Sequence, residues 1–220
     1  MTSFDKPETT TLQGAYVVLE KACPAAHKDD FQSHLCGVPN APLWEYLPFG
    51  PFESADQMFA SLEMGRKQLG WQSFAMRPHA SGQAEGTISL MRIRSDHGSS
   101  EIGAVVFGHG LQKTAAATEA IFLLAHYVFD TLGYRRLEWK CDNNNAASKR
   151  AAFRFGFQFE GVFRNDMIVK GKSRDTAWFA MTDDDWTDLR GGYLDWLDPV
   201  NFTNDGSQRS SLRELIDSNY

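Results

Sequence analysis

Cysteine is scarce in this chain, a long apolar run is missing, and basic residues do not outnumber acidic ones. Each absence excludes something. Only three cysteines occur in 220 residues, Cys23, Cys36 and Cys141, an odd number at spacings that match neither a zinc site nor a disulfide framework. A reducing, cytoplasmic compartment and no bound metal are the expectation. No segment approaches the ~18 consecutive apolar residues of a membrane-spanning helix, and residues 1–13 are polar, without the apolar centre of a secretory signal. Neither a membrane nor an export route is expected. The 22 Lys and Arg against 28 Asp and Glu leave a formal net charge of -6, so the broad cationic field that holds nucleic acid is lacking. Internal repeats and low-complexity blocks are absent as well.

What is present suffices for one core. With 42% hydrophobic residues the chain supports one main domain. Its expected limits are residues 12–187, after a flexible leader over residues 1–11. Residues 188–220 form a C-terminal extension, partly docked or disordered, in which Gly, Asn and Ser clusters accompany Tyr193, Leu194, Trp196 and Leu197. Within the domain, residues 15–19 read as a strand and 24–35 as a helix starting at a proline. Residues 39–52 form a loop with four prolines and Trp44, Tyr46, Phe49 and Phe52, after which Ser54 caps a helix reaching about Leu69. Strands at 72–77, 84–93 and 100–107 form an antiparallel meander. Ile121, Leu124, Ala125, Val128 and Leu132 then recur at helical spacing up to Gly133. A strand at 137–141, a helix at 146–155 closed by Gly156, and strands at 157–169 and 176–181 around a Lys170-Gly171 turn complete an α+β order.

Two segments carry chemistry. Residues 101–119, EIGAVVFGHGLQKTAAATE, run a strand through small residues directly into the long helix. The first amides of a helix lack intrahelical partners, and with the positive end of the dipole they suit a pyrophosphate that small side chains let approach. Taken alone, the segment reads more readily as an Ala-rich helix capped by Thr114. Residues 137–157, LEWKCDNNNAASKRAAFRFGF, place a strand before Asn145 and Ser148 in N-x-x-S spacing, then a short helix and Gly156-Phe157. This order resembles the GNAT acetyltransferase superfamily, in the branch that includes the ribosomal-protein N-terminal (Rim-type) acetyltransferases. Phe159-Glu160-Gly161 continue as in that branch. The first segment then resembles the superfamily's pyrophosphate loop, Q/R-x-x-G-x-G/A, opened by Gln112, with Ala115 and Ala117 at its small positions and Thr118-Glu119-Ala120 following. The resemblance spans roughly residues 12–186. One position departs: Ala115 stands where the pattern has glycine, and alanine resists positive φ, so the amides must face phosphate from ordinary helical geometry.

The resemblance implies a mixed, mostly antiparallel central sheet with helices on both faces and a splayed strand pair that holds acyl-CoA. It implies an acetyl-CoA-dependent N-acetyltransferase that moves an acetyl group directly to a primary amine of a small molecule or a protein N-terminus, without a metal. The alternative from another class is a non-catalytic acyl-CoA-binding module, a sensor or scaffold. Monomer and homodimer both stay open. Implied cofactor contacts are Gln112, Lys113, Thr114, Ala115, Ala117 and Thr118, then Asn145, Ser148 and Arg150, and Val106 and Phe107, whose amides would stabilise the oxyanion. An alkylamine with a pKa of about 10 is mostly protonated at neutral pH, so a base is required. Glu138 is the first candidate and Glu101 the second; each reads equally as a carboxylate paired with Lys or Arg. Met167 stands where some relatives carry an acid, and Ala152 where many carry a tyrosine. Ser148 is the hydroxyl left to protonate the departing sulfur; a Ser148 that only bonds the backbone and an Asn145 that only caps its helix are the plain alternatives. The acceptor pocket is implied between the aromatic loop, with Trp44, Tyr46 and Phe52, and the final hairpin, with Arg164, Arg174 and Asp175. Trp44 and Phe52 read equally as core, and Arg164 as an ion-pair partner of Asp175.

Overall fold

Alternation of apolar and polar residues along short segments rich in Val, Ile and Phe gives eight strands among the described residues. They are β1 (Thr11–Gln13), β2 (Val17–Lys21), β3 (Gln72–Pro78), β4 (Gly86–Arg94), β5 (Ser99–Phe107), β6 (Arg136–Asp142), β7 (Gln158–Val169) and β8 (Lys172–Thr182). The structure, a computed structural model, describes residues 4–218; residues 1–3 of the expected leader and 219–220 of the expected extension lie outside the described residues. All eight strands join one sheet in the order β1-β2-β3-β4-β5-β6-β8-β7. Every neighbouring pair is antiparallel except β5 and β6, which run parallel.

Among the described residues six α-helices pack around the sheet: α1 (Pro24–Leu35), α2 (Ala55–Leu69), α3 (Ala115–His126), α4 (Ala146–Arg154), α5 (Asp183–Leu197) and, on α5, α6 (Leu212–Ser218). Successive residues of a strand point to opposite faces, and β3 separates two cores in this way. Phe74 and Met76 join the buried residues of α3, α5 and α6, whereas Ala75 joins Phe31, Trp44, Met58 and Phe59 from α1, α2 and the segment between them. Helices therefore lie on both faces, as expected for the α+β fold.

Local signals set most boundaries. Ser54 accepts a hydrogen bond from the Gln57 amide and Gly70 closes α2 in the left-handed region at φ 69°. Beyond α3 the chain widens into a π-type turn over Tyr127–Thr131 before Gly133, instead of continuing as α-helix to residue 132, and this turn keeps Tyr127, Val128 and Phe129 all buried. The aromatic loop holds a 3-10 segment, Val38–Trp44.

Both ends of the described residues are packed. Tyr127 Oη accepts from the Glu8 and Thr9 amides, and Phe4 sits edge-on to Tyr134. A capping box between Thr182 and Asp185 starts α5, which runs across residue 187. It buries Trp186, Leu189, Tyr193, Trp196 and Leu197, and α6 adds Leu212 and Ile216 to the same core. The Tyr193 hydroxyl donates to the Phe155 carbonyl at 3.0 Å. No described helix is long and apolar enough to cross a membrane.

Candidate active site

The parallel strands β5 and β6 pair only where Ser99–Ile102 meet Arg136–Trp139. Beyond that point they separate, which leaves the β6-facing edge of β5 unpaired from Gly103 to Phe107 and opens a cavity of about 860 Å³. A bulge on the other side of β5 accompanies the divergence: the register with β4 shifts between Thr87 and Ser89, and Ala104 takes φ 49°. Bulges bend a strand and increase its twist. At the end of β5 the chain passes so close to β4 that a side chain at Gly108 would lie 2.4 Å from the Glu85 carbonyl oxygen.

The turn into α3 explains why glycine is dispensable at Ala115. Positive φ falls on Lys113, at 61°, and Ala115 is already the first helical residue. Thr114 caps the helix, its Oγ1 accepting from the Ala117 amide at 3.1 Å. Among the described residues the amides of Lys113, Thr114, Ala115 and Ala116 have no protein partner. Such consecutive free amides at a helix start form an anion cradle. Gln112 and Lys113 line the cavity, with Gln112 Nε2 donating to the Phe107 carbonyl at 3.1 Å. Thr114, Ala115, Ala117 and Thr118 do not line it, and Ala117 and Thr118 are buried. Arg154 Nη1 donates to Thr118 Oγ1 at 3.0 Å, whereas Arg150 is exposed on the cavity wall.

On the opposite wall, Asn145 caps α4 by accepting from the Ser148 amide at 2.9 Å. Ser148 Oγ accepts from Trp139 Nε1 at 3.0 Å, and both Asn145 and Ser148 face the cavity. Ala152 is fully buried, so Ser148 is the hydroxyl that α4 presents there. Burial pushes the Cys141 thiol up, partly offset by the Ser148 hydroxyl and by nearby Arg174 and Lys149. Val106 and Phe107 also line the cavity.

The two candidate bases are register partners with different surroundings. Glu101 pairs with Glu138 across β5 and β6, and both are buried. Glu101 lines the cavity, with Lys140 Nζ at 3.1 Å and Arg92 Nε at 3.6 Å from its carboxylate. Burial raises its pKa, and the cations Lys140 and Arg92 offset this only in part. Glu138 does not line the cavity; it is surrounded by Arg94 and Arg136, each at 2.9 Å, and Arg92 at 3.5 Å. Lys140 was missing from the sequence reading, although its position two residues after Glu138 puts it on the same face of β6.

The aromatic loop roofs the cavity through Pro42, Leu43, Tyr46, Leu47, Pro48 and Phe49, not through Trp44 or Phe52. Trp44 is core, 1% exposed, with its Nε1 donating to the Leu35 carbonyl and Phe52 packed edge-on at 4.9 Å. The hairpin tip is tied to this roof, because Lys170 Nζ donates to the Trp44 carbonyl at 2.7 Å. Of the hairpin residues, Met167 and Arg174 reach the cavity; Arg164 and Asp175 do not. Asp175 Oδ1 instead accepts from the Asn165 amide at 2.8 Å. Among the described residues no group of three or more His, Cys, Asp or Glu is placed to hold a metal ion.

Comparison with known proteins agrees with this geometry. Residues 17–158 match the model of the acetyltransferase (GNAT) domain. The chain is 40% identical to a GCN5-related N-acetyltransferase from Brucella melitensis, with 99% of this chain and 98% of that one covered and a TM-score of 0.93. A probable acetyltransferase of the GNAT family from Chromobacterium violaceum is 39% identical over 85% of this chain and 93% of its own, with a TM-score of 0.79. The uncharacterized N-acetyltransferase YoaA of Bacillus subtilis is 29% identical over 125 residues, which are 57% of this chain and 68% of that protein. Matches at 17% and 18% identity extend to differently named GNAT structures and share the fold alone. With the fold and more than half of the sequence matched, the chain belongs to the GNAT acetyltransferase family and is an N-acetyltransferase.

Proposed function

We propose that the protein binds acetyl-CoA in the β5/β6 gap and transfers its acetyl group to a primary amine, either of a small molecule or, as in the Rim-type branch, of a protein N-terminus. The observation that carries this is the unpaired edge of β5 running to four amides without a protein partner. The edge suits the amide-bearing pantetheine arm, and the free amides suit the pyrophosphate. Acetyl-CoA supplies the activated thioester carbonyl. Gln112, Lys113, Thr114 and Ala115 surround the phosphates, while Ala117 and Thr118 keep that helix turn small and capped. Asn145 and Arg150 stand along the arm, and Ser148 is beside the sulfur as its proton donor. Val106 and Phe107 offer backbone amides to the carbonyl oxygen.

Glu101 is the proposed base. It faces the cavity, and a raised pKa makes its carboxylate a better proton acceptor near neutral pH. Three arginines occupy Glu138, which supports a structural role there. Thiol release from acetyl-CoA against a panel of amines and N-terminal peptides tests the proposal. Release with at least one acceptor is expected, and acetyl-CoA binding without release on any acceptor contradicts it.

A further inference from the structure

We infer that the acceptor is an amine that also carries a carboxylate, and that Arg174 receives that carboxylate in the cavity. The inference rests on the acetyl transfer proposed above and narrows its acceptor.

Arg174 lines the cavity although it is only 6% exposed. Its Nε is buried without a hydrogen-bond partner, and among the described residues its guanidinium has no ion pair. Lys113 and Arg150, which also line the cavity, are exposed to solvent, and the remaining cations nearby are engaged. Lys140 meets Glu101; Arg92, Arg94 and Arg136 share Glu138; and Arg154 lies over the Phe155 and Trp196 rings. Asp142, the other carboxylate in the lining besides Glu101, already accepts from the Asn144 amide at 2.8 Å. A buried guanidinium without a counter-charge is unfavourable, and a ligand anion removes that penalty.

The acceptor side of the sheet is where Arg174 points. Ala177, Phe179 and Met181 of β8 enter the core beneath α3 and α5, so Arg174, Thr176 and Trp178, in the alternate positions, belong to the opposite face. Lys140 and Arg92 stand over the Trp178 ring at 5.0 and 5.1 Å, which puts the Glu101–Lys140 pair on that face too. Thr176 Oγ1 and Trp178 Nε1 are likewise buried without a partner, so donor groups are in excess along this strand face. The proposed phosphate cradle lies elsewhere, at the start of α3. A planar guanidinium fork matches a carboxylate in bidentate fashion. A polyamine would bring further positive charge beside Arg174, and a plain alkylamine would leave it unpaired.

The test uses the full chain with acetyl-CoA and a panel of free amino acids, their methyl esters, spermidine and O-phosphoethanolamine. Free acids are expected to be acetylated, with KM at least 10-fold higher for the matching ester. Arg174→Met should lower kcat/KM for the acid at least 100-fold and for the ester at least 10-fold less than that, leave the calorimetric affinity for acetyl-CoA unchanged, and keep or raise Tm; Arg174→Lys should recover part of the loss. Esters, spermidine or O-phosphoethanolamine used as well as the acids would overturn the inference, as would a variant that discriminates like wild type. Acetyl-CoA bound with no free acid acetylated also overturns it. Failure of acetyl-CoA itself to bind would instead overturn the cofactor reading.

Discussion

Three backbone amides, those of Ala15, Tyr16 and Val17, donate to the carboxylate of Glu119 at 2.7, 2.6 and 2.9 Å. This glutamate is 4% exposed and holds the β1–β2 turn against α3, so closely that a side chain at Gly14 would lie 2.3 Å from Glu119 Oε2. Glu119→Ala removes the acceptor of three amides, of which only that of Val17 is fully buried, and should cost about 1–3 kcal/mol, seen as a lower urea midpoint with unchanged slope. Glu101 differs, because it faces the cavity and is the proposed base. A base must be unprotonated to act, so the rate should fall as pH drops through a pKa that lies above the ordinary 4.5. Glu101→Gln should abolish that acidic limb of the kcat profile and lower kcat by about 10²–10⁴-fold, with acetyl-CoA affinity retained; an unaltered profile would transfer the role elsewhere. Which of Glu101 and Glu138 faces the cavity was not legible in the sequence, since it depends on which strand edge opens and on arginines brought in from β4. The Asn145 cap on the Ser148 amide was legible because capping geometry is local.

At the scale of elements, the turn from β5 into α3 carries the cofactor reading. An acidic residue at the first helical position is compatible with the helix dipole, but its carboxylate would occupy the free amides. Ala115→Asp should therefore weaken acetyl-CoA binding at least 10-fold in calorimetry with Tm unchanged or slightly higher, whereas unchanged affinity would remove the phosphates from this turn. Ala115 is the position to alter, since Ala117 is buried at 5% exposure. The helix starts at Ser54, Thr114 and Asn145 were readable because a cap bonds an amide three residues away. Which loop residues would face the cavity was not. Trp44 and Tyr46 are two apart in the sequence, yet one is core and the other roof, an outcome set by α1, α2 and the hairpin tip together.

For the whole molecule, the boundary expected at residue 187 falls inside α5. Trp186, Leu189, Tyr193, Trp196 and Leu197 follow helical spacing, but Gly191-Gly192 and a polar composition obscured it. Gly192 is needed where α6 crosses, since a side chain there would lie 2.7 Å from Ile216. Removing residues 188–220 deletes the buried Leu189, Tyr193, Trp196, Leu197, Leu212 and Ile216. At about 1.5–3 kcal/mol for each large apolar side chain, the loss rivals the ~5–15 kcal/mol that holds a domain together. The shortened chain should be aggregated or lack a cooperative thermal transition, and a soluble, cooperatively melting product would show the extension to be separable. The central claim is that acetyl-CoA occupies the gap between β5 and β6. A crystal structure with coenzyme A tests it most directly: the account predicts the pantetheine arm along Gly103 to Phe107 and the pyrophosphate on the amides of Lys113 to Ala116, and coenzyme A bound anywhere else would contradict it.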